Sequence, residues 1–70
     1  MKTICIFLAN GFEEVEALAP LDVLRRGGLE VKTVSVTGEK MVTSSHGVTL
    51  AADILFEELD KEEIAMVVLP

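Results

Sequence analysis

Two nearly unbroken apolar runs, TICIFLA at residues 3–9 and IAMVVLP at residues 64–70, constrain this chain more than any other feature. Strands covered on both faces read this way in parallel sheets, whereas a strand with one wet face alternates. A third run, LEVKTVSV at 29–36, alternates more, leaving Lys32 and, near its end, Ser35 as candidates for exposure. Parallel neighbours need a crossover, and residues 13–26 supply one. Ala17, Leu18, Leu21 and Leu24 recur there at helical intervals, with Gly27-Gly28 as a stop. The pattern is strand, helix, strand, for which a right-handed crossover is expected.

Between the second and third strands, residues 37–53 hold two short β-prone pieces, Met41-Val42-Thr43 and Val48-Thr49-Leu50, around the turn-like Ser44-Ser45-His46-Gly47. A small hairpin is expected. Residues 53–63 suit a short helix or turn feeding the last strand. Parallel strands need cover on both faces, yet the chain offers one good helix. A chain of 70 residues buries only about 60% of its unfolded surface. The expectation is an incomplete α/β domain, poorly folded and inactive in isolation, whose missing elements come from a continuation of the polypeptide or from a second chain.

The net charge of -6, with no basic cluster longer than Arg25-Arg26, argues against nucleic-acid binding. A lone Cys5 cannot form an internal disulfide and supplies no metal-ligand or redox spacing. The apolar run Ile4–Ala9 is shorter than a signal-peptide core or a membrane span. A reducing, cytoplasmic setting without membrane contact is expected.

The segment LANGFEEVEALAP sets Glu13, Glu14 and Glu16 where the first strand hands over to the helix. Acids in a first helical turn complement the helix dipole, and that alone can account for them. Glu16 has a further claim, because Pro20 lacks the N–H that would bond its carbonyl and crowds that same carbonyl, so backbone irregularity is expected there. Residues 10–16 also stand at the carboxyl edge of a parallel strand, the usual ligand position. A carboxyl partly withdrawn from water there would have a raised pKa and could move a proton. Glu13 and Glu16 lie about 60° apart on the helix, with Glu14 pointing away from Glu16.

Cys5, mid-strand between isoleucines, reads as a small buried hydrophobe. His46 reads as a turn residue, with an anion or proton-transfer role as the alternative, and no second histidine supports a metal. Arg25 and Arg26 favour the helix C-terminus, and Asp22 stands one turn before Arg26. The acidic stretch 57–63 reads as a solvated face. Gly27-Gly28 follow a helix and form no phosphate loop.

Taken together, FLANGFEEVEALAPLDVLRRGGLEVKTVSV, SSHGVTLAAD and the closing MVVLP resemble the ThiJ/PfpI superfamily, in particular its DJ-one branch of parkinsonism-associated, deglycase-like proteins. The likeness covers essentially the whole chain, and G-x-E-E-x-E followed by P-x-D-V-x-R-R-x-G is its most specific part. The resemblance implies a flavodoxin-like three-layer α/β sandwich with a parallel central sheet, like the class I glutamine amidotransferases. It implies a homodimer and a reactive cysteine at a strand-to-helix elbow. Residues 1–70 would be the N-terminal part of one such domain, with the elbow beyond Pro70.

By the same resemblance, Glu16 matches the acid that hydrogen-bonds the cysteine sulfur and is the expected catalytic residue. Gly11 matches the turn glycine at the helix start. Asp22 and Arg26 match residues near the subunit contact and the site, and Glu13 and Glu14 match acids near the dimer surface. The family often has an arginine where this chain has His46, and His46 is carried over as a residue that binds at the site or supports it, with its replacement of that arginine as an anion contact left open.

The function implied is cysteine-dependent chemistry on reactive carbonyls, glyoxalase-type or deglycating, on small carbonyls or glycated adducts. No cofactor is required, and a companion C-terminal segment would carry the cysteine. The alternative is an oxidative-stress sensor and chaperone using the same cysteine. Nothing in these residues supports the superfamily's association with thiazole phosphate biosynthesis. A flavin-binding or receiver module is disfavoured by Asn10-Gly11 after the first strand and by the lack of a Ser/Thr-rich phosphate loop.

Overall fold

The computed structural model describes residues 2–70. Strand β1 (Thr3–Leu8) leads to helix α1 (Glu14–Arg26), then β2 (Val31–Ser35). A hairpin of β3 (Met41–Thr43) and β4 (Thr49–Ala51) follows, then the two-residue β5 (Ile54–Leu55), two 3-10 turns (Phe56–Glu58 and Lys61–Glu63) and β6 (Ile64–Val68). The main sheet has the order β5-β2-β1-β6, and every pair in it is parallel. The hairpin forms a separate antiparallel pair, with Val42 opposite Leu50.

The apolar run that opens the chain becomes the inner strand, flanked by β2 and β6. Its period of two sends Ile4, Ile6 and Leu8 into the core cluster with Val31. Phe12, Ala17, Val42 and Ala52 complete that cluster, and Leu21 and Leu24 of α1 pack against it with Leu50 and Val68. Cys5 is fully buried, and burial pushes its thiol pKa up against a smaller opposing pull from Lys32. That is the behaviour of a packed hydrophobe rather than a nucleophile. Beside it, Phe7 meets Phe56 edge-on at 5.8 Å, and the Lys61 ammonium sits 4.6 Å from the Phe56 ring centre.

Helix α1 runs unbroken through Pro20, so the irregularity expected there does not interrupt the helix. Proline removes one hydrogen bond at this point, and the packing of Ala17, Leu21 and Leu24 on both sides holds the helix together. At the other end the Gly27-Gly28 stop closes as a Schellman motif. Gly28 N–H bonds Arg25 O at 3.0 Å, Leu29 N–H bonds Leu24 O at 3.2 Å, and Gly28 takes φ +84°.

Ser35 departs from the sequence reading, being fully buried. It ends β2 as the chain turns, and its hydroxyl serves that turn by donating to Glu39 O at 2.5 Å and accepting from Thr37 N–H at 3.2 Å. Lys32 is only partly exposed. The stretch 53–63 forms two 3-10 turns as expected, and its first residues add the unforeseen β5 beside β2. Asp53 fixes this junction. Its carboxylate accepts from Thr33 N–H at 2.9 Å and from Arg25 at 2.8 Å, while Arg25 also donates twice to Val31 O. Partial burial pushes the Asp53 carboxyl up, but the Thr33 amide and the Arg25 charge together outweigh it and hold it below the usual range.

Among the described residues no helix is long and apolar enough to cross a membrane. Large apolar side chains are left at the surface on the outside of α1, where Val15 and Val23 are 76% and 66% exposed, and on β6, where Met66 and Val67 are half exposed.

Candidate functional site

The carboxyl ends of β1, β2 and β6 meet at one edge of the sheet, and a concavity of about 280 Å³ opens there. Phe7, the loop Ala9–Phe12, Val36, Leu69 and Pro70 line it. This is where the strand order turns back on itself, since β1 is followed to one side by β2 and to the other by β6. Open α/β sheets bind ligands at that switch point.

The β1–α1 loop forms the rim by a tight turn. Phe12 N–H closes onto Ala9 O at 3.1 Å, and Gly11 takes φ +91°, as the third position of a type II turn requires. A Cβ on Gly11 would meet nothing within 4 Å, so glycine is needed here for its backbone conformation and not for space. The loop is fastened to the hairpin. Gly11 N–H donates to Thr43 O at 2.8 Å, Thr43 N–H to Asn10 Oδ1 at 3.1 Å, and Ser45 N–H to Phe12 O at 2.9 Å.

Side chains reinforce the same junction. The Ser44 hydroxyl donates to Glu14 Oε2 at 2.5 Å, and His46 Nδ1 stands 3.0 Å from Glu14 Oε1. His46 N–H reaches Glu14 Oε2 at 3.2 Å, and the Ser45 hydroxyl donates to Glu13 at 3.2 Å. The Glu14 side chain is 18% exposed against 74% for His46. The Ser44 hydrogen bond, then the amide at the start of α1 and the His46 ring, hold the Glu14 carboxyl down at about 2. The hydrogen bond to Glu14, with the negative charges of Glu14 and Glu13, pushes His46 above its ordinary value.

Glu13, Glu14 and His46 bring their oxygen and nitrogen atoms within 4.8 Å of one another. Within this group His46 and Glu14 already share a hydrogen bond, and the positive end of α1 beneath the carboxylates disfavours a further cation there.

The sequence-predicted residues fall into four places. Gly11 lines the concavity. Glu13 and Glu14, expected near a subunit contact, join His46 in the junction between helix and hairpin. Asp22 and Arg26 pair with each other at 2.9 Å on the exposed face of α1, as their spacing suggested. Glu16 is exposed and has no side-chain partner among the described residues, so nothing within 2–70 withdraws it from water. The role of Ser44 was not anticipated. Its sequence signal was faint, a serine in a turn thirty residues from the acid it serves.

The model of the DJ-1/PfpI family matches residues 2–70. Protein DJ-1 homolog A of Arabidopsis thaliana is 39% identical over 69 residues, covering 99% of this chain and 18% of that protein. Deglycase TK1284 of Thermococcus kodakarensis is 37% identical over 67 residues, covering 96% of this chain and 40% of that one. Among solved structures, oxidized DJ-1 of Toxoplasma gondii superposes with a TM-score of 0.92 at 33% identity, covering 100% of this chain and 38% of that chain. The chain thus spans well under half the length of each of these relatives, and the superposition confirms the flavodoxin-like α/β fold.

Proposed function

Because the chain belongs to the DJ-1/PfpI family, we propose that it forms part of a cysteine-dependent protein acting on reactive carbonyls, of glyoxalase or deglycase type. The observation that carries this reading is the concavity at the carboxyl ends of β1, β2 and β6, in a chain 37% identical to a protein named as a deglycase. In the proposed chemistry a cysteine beyond residue 70 supplies a thiolate. Its sulfur bonds to the aldehyde carbon of a glyoxal, and the carbonyl electron pair moves to oxygen, which takes a proton. Glu16 then carries the proton from that carbon to the neighbouring carbonyl carbon while the hydroxyl proton passes to the neighbouring oxygen, so that the first carbon is oxidised to a thioester as the second is reduced to a carbinol. Water adds to the thioester and expels the thiol to release a hydroxy acid. An exposed carboxylate without a partner is free to take that part once a further segment covers it.

The exposed apolar side chains on α1, Val15, Leu18 and Val23, support the further proposal that a second copy of the protein packs against this helix. The test is methylglyoxal turnover by the protein as encoded, with Glu16→Gln expected to lower kcat by about a hundredfold. Turnover unaffected by Glu16→Gln would remove Glu16 from the mechanism. A protein that consumes no methylglyoxal yet changes its client binding on peroxide treatment would replace the enzymatic reading with the redox-sensor one.

A further inference from the structure

We propose that Glu14, Ser44 and His46 form a positioning clasp that fastens the hairpin turn to the first turn of α1, sets the loop Asn10–Phe12 at the rim of the concavity, and tightens when His46 carries a proton. The proposal rests on the concavity being the site of reaction. Geometry leads to it, because one short stretch serves both purposes. Thr43 and Ser45 make the three backbone-mediated bonds that place the rim loop, and Ser44 and His46, interleaved with them, grip Glu14. A shift of the turn relative to α1 cannot leave the rim in place.

Glu14 is well placed to hold, since it is shielded, doubly hydrogen-bonded by Ser44 and the His46 amide, and located at the positive end of α1. His46 is well placed to respond, since its ring is exposed to solvent protons. The ionisable groups acting on it are Glu14 and Glu13, both from the start of α1. A neutral imidazole can still donate through Nδ1 in one tautomer, so deprotonation removes the ionic part of the contact and leaves the hydrogen bond. The clasp loosens by degrees and does not open outright.

The direction with pH follows from the two shifts. His46 is raised, so its contribution is fully present below the ordinary value of 6.5 and is lost as pH rises through its higher folded value. Glu14 is lowered, so its contribution is present above its ordinary 4.5 and is lost as pH falls towards about 2. The clasp is strongest in the interval between them.

Amide hydrogen exchange in the protein as encoded tests this without any assay of turnover, so it can fail or succeed independently of the carbonyl chemistry. The readouts are the protection factors of Gly11 and Ser45, whose N–H groups bridge loop and hairpin, with Ile6 and Val34 as core controls. From pH 6 to 9 the Gly11 and Ser45 factors should fall by about two- to fivefold, the range of an exposed ion pair, while the controls hold. His46→Arg should keep the high values throughout, and His46→Gln should show the low values at every pH. Factors at Gly11 and Ser45 that do not change with pH, or that fall in step with Ile6 and Val34, would overturn the proposal. So would a His46→Gln protein that keeps the full response.

Discussion

The two ends of α1 are held by unlike means. The C-terminal end closes on itself through the bonds of Gly28 and Leu29 to carbonyls of the last turn, with Arg25 adding a reach to Val31 and Asp53. The N-terminal end has no side-chain cap from Glu13 and is fastened by a turn about thirty residues away. The local end depends chiefly on backbone conformation, and its one ionic contact, Arg25 with Asp53, stays charged at neutral pH because the Asp53 carboxyl is held below its usual range. The distant end depends on two serines, two acids and a histidine, and so on pH. The end that borders the concavity is the adjustable one.

The largest effect should come from breaking the distant end at Ser44. Ser44 is buried, and its hydroxyl donates to Glu14 while accepting from Val48 N–H at 3.0 Å. Ser44→Ala strands these partners, and thermal or denaturant unfolding of the encoded protein should show a loss of about 1–3 kcal/mol. A loss confined to a few tenths would mean that water replaces the hydroxyl and the distant end is weaker than drawn. Next comes the local end. Gly28→Val places a β-branched residue at φ +84° and should lower stability by about 1–2 kcal/mol, with no dependence on pH between 5 and 8. A pH-dependent cost there would erase the contrast between the ends. Smallest is Asp22→Asn, which removes an ion pair whose side chains are 78% and 62% exposed. It should change stability by no more than about 0.5 kcal/mol, and a larger change would show that exposed pairs on α1 matter more than its caps.

This contrast also explains what could be read from the sequence. The inner and outer strands, the helix and its stop, the Asp22–Arg26 pair and the hairpin all announce themselves within a few residues, by period, by glycine or by spacing. Strand β5 is not legible because two residues carry no period, and it pairs with β2 just after Asp53 docks against Thr33 and Arg25. Ser35 was misjudged because a serine in an alternating run suggests a wet face, whereas here its hydroxyl is satisfied by the turn that follows. At the candidate site, Gly11 and the carboxyl-edge position were legible as local features. The joining of Glu14 to Ser44 and His46 was not, since it arises only when the hairpin folds over the start of α1.

The strand order has an entropic side as well. Strand β1 pairs with β2 through Ile4 and Val31, and with β6 through Ile4 and Met66, more than twice as far along the chain. Closing the longer loop costs about 0.7 kcal/mol more than closing the shorter one, before any intervening structure is counted. The wall of the concavity formed by Leu69 and Pro70 therefore hangs on the less favourable of the two closures, and the rim formed by the β1–α1 loop belongs to the more favourable one.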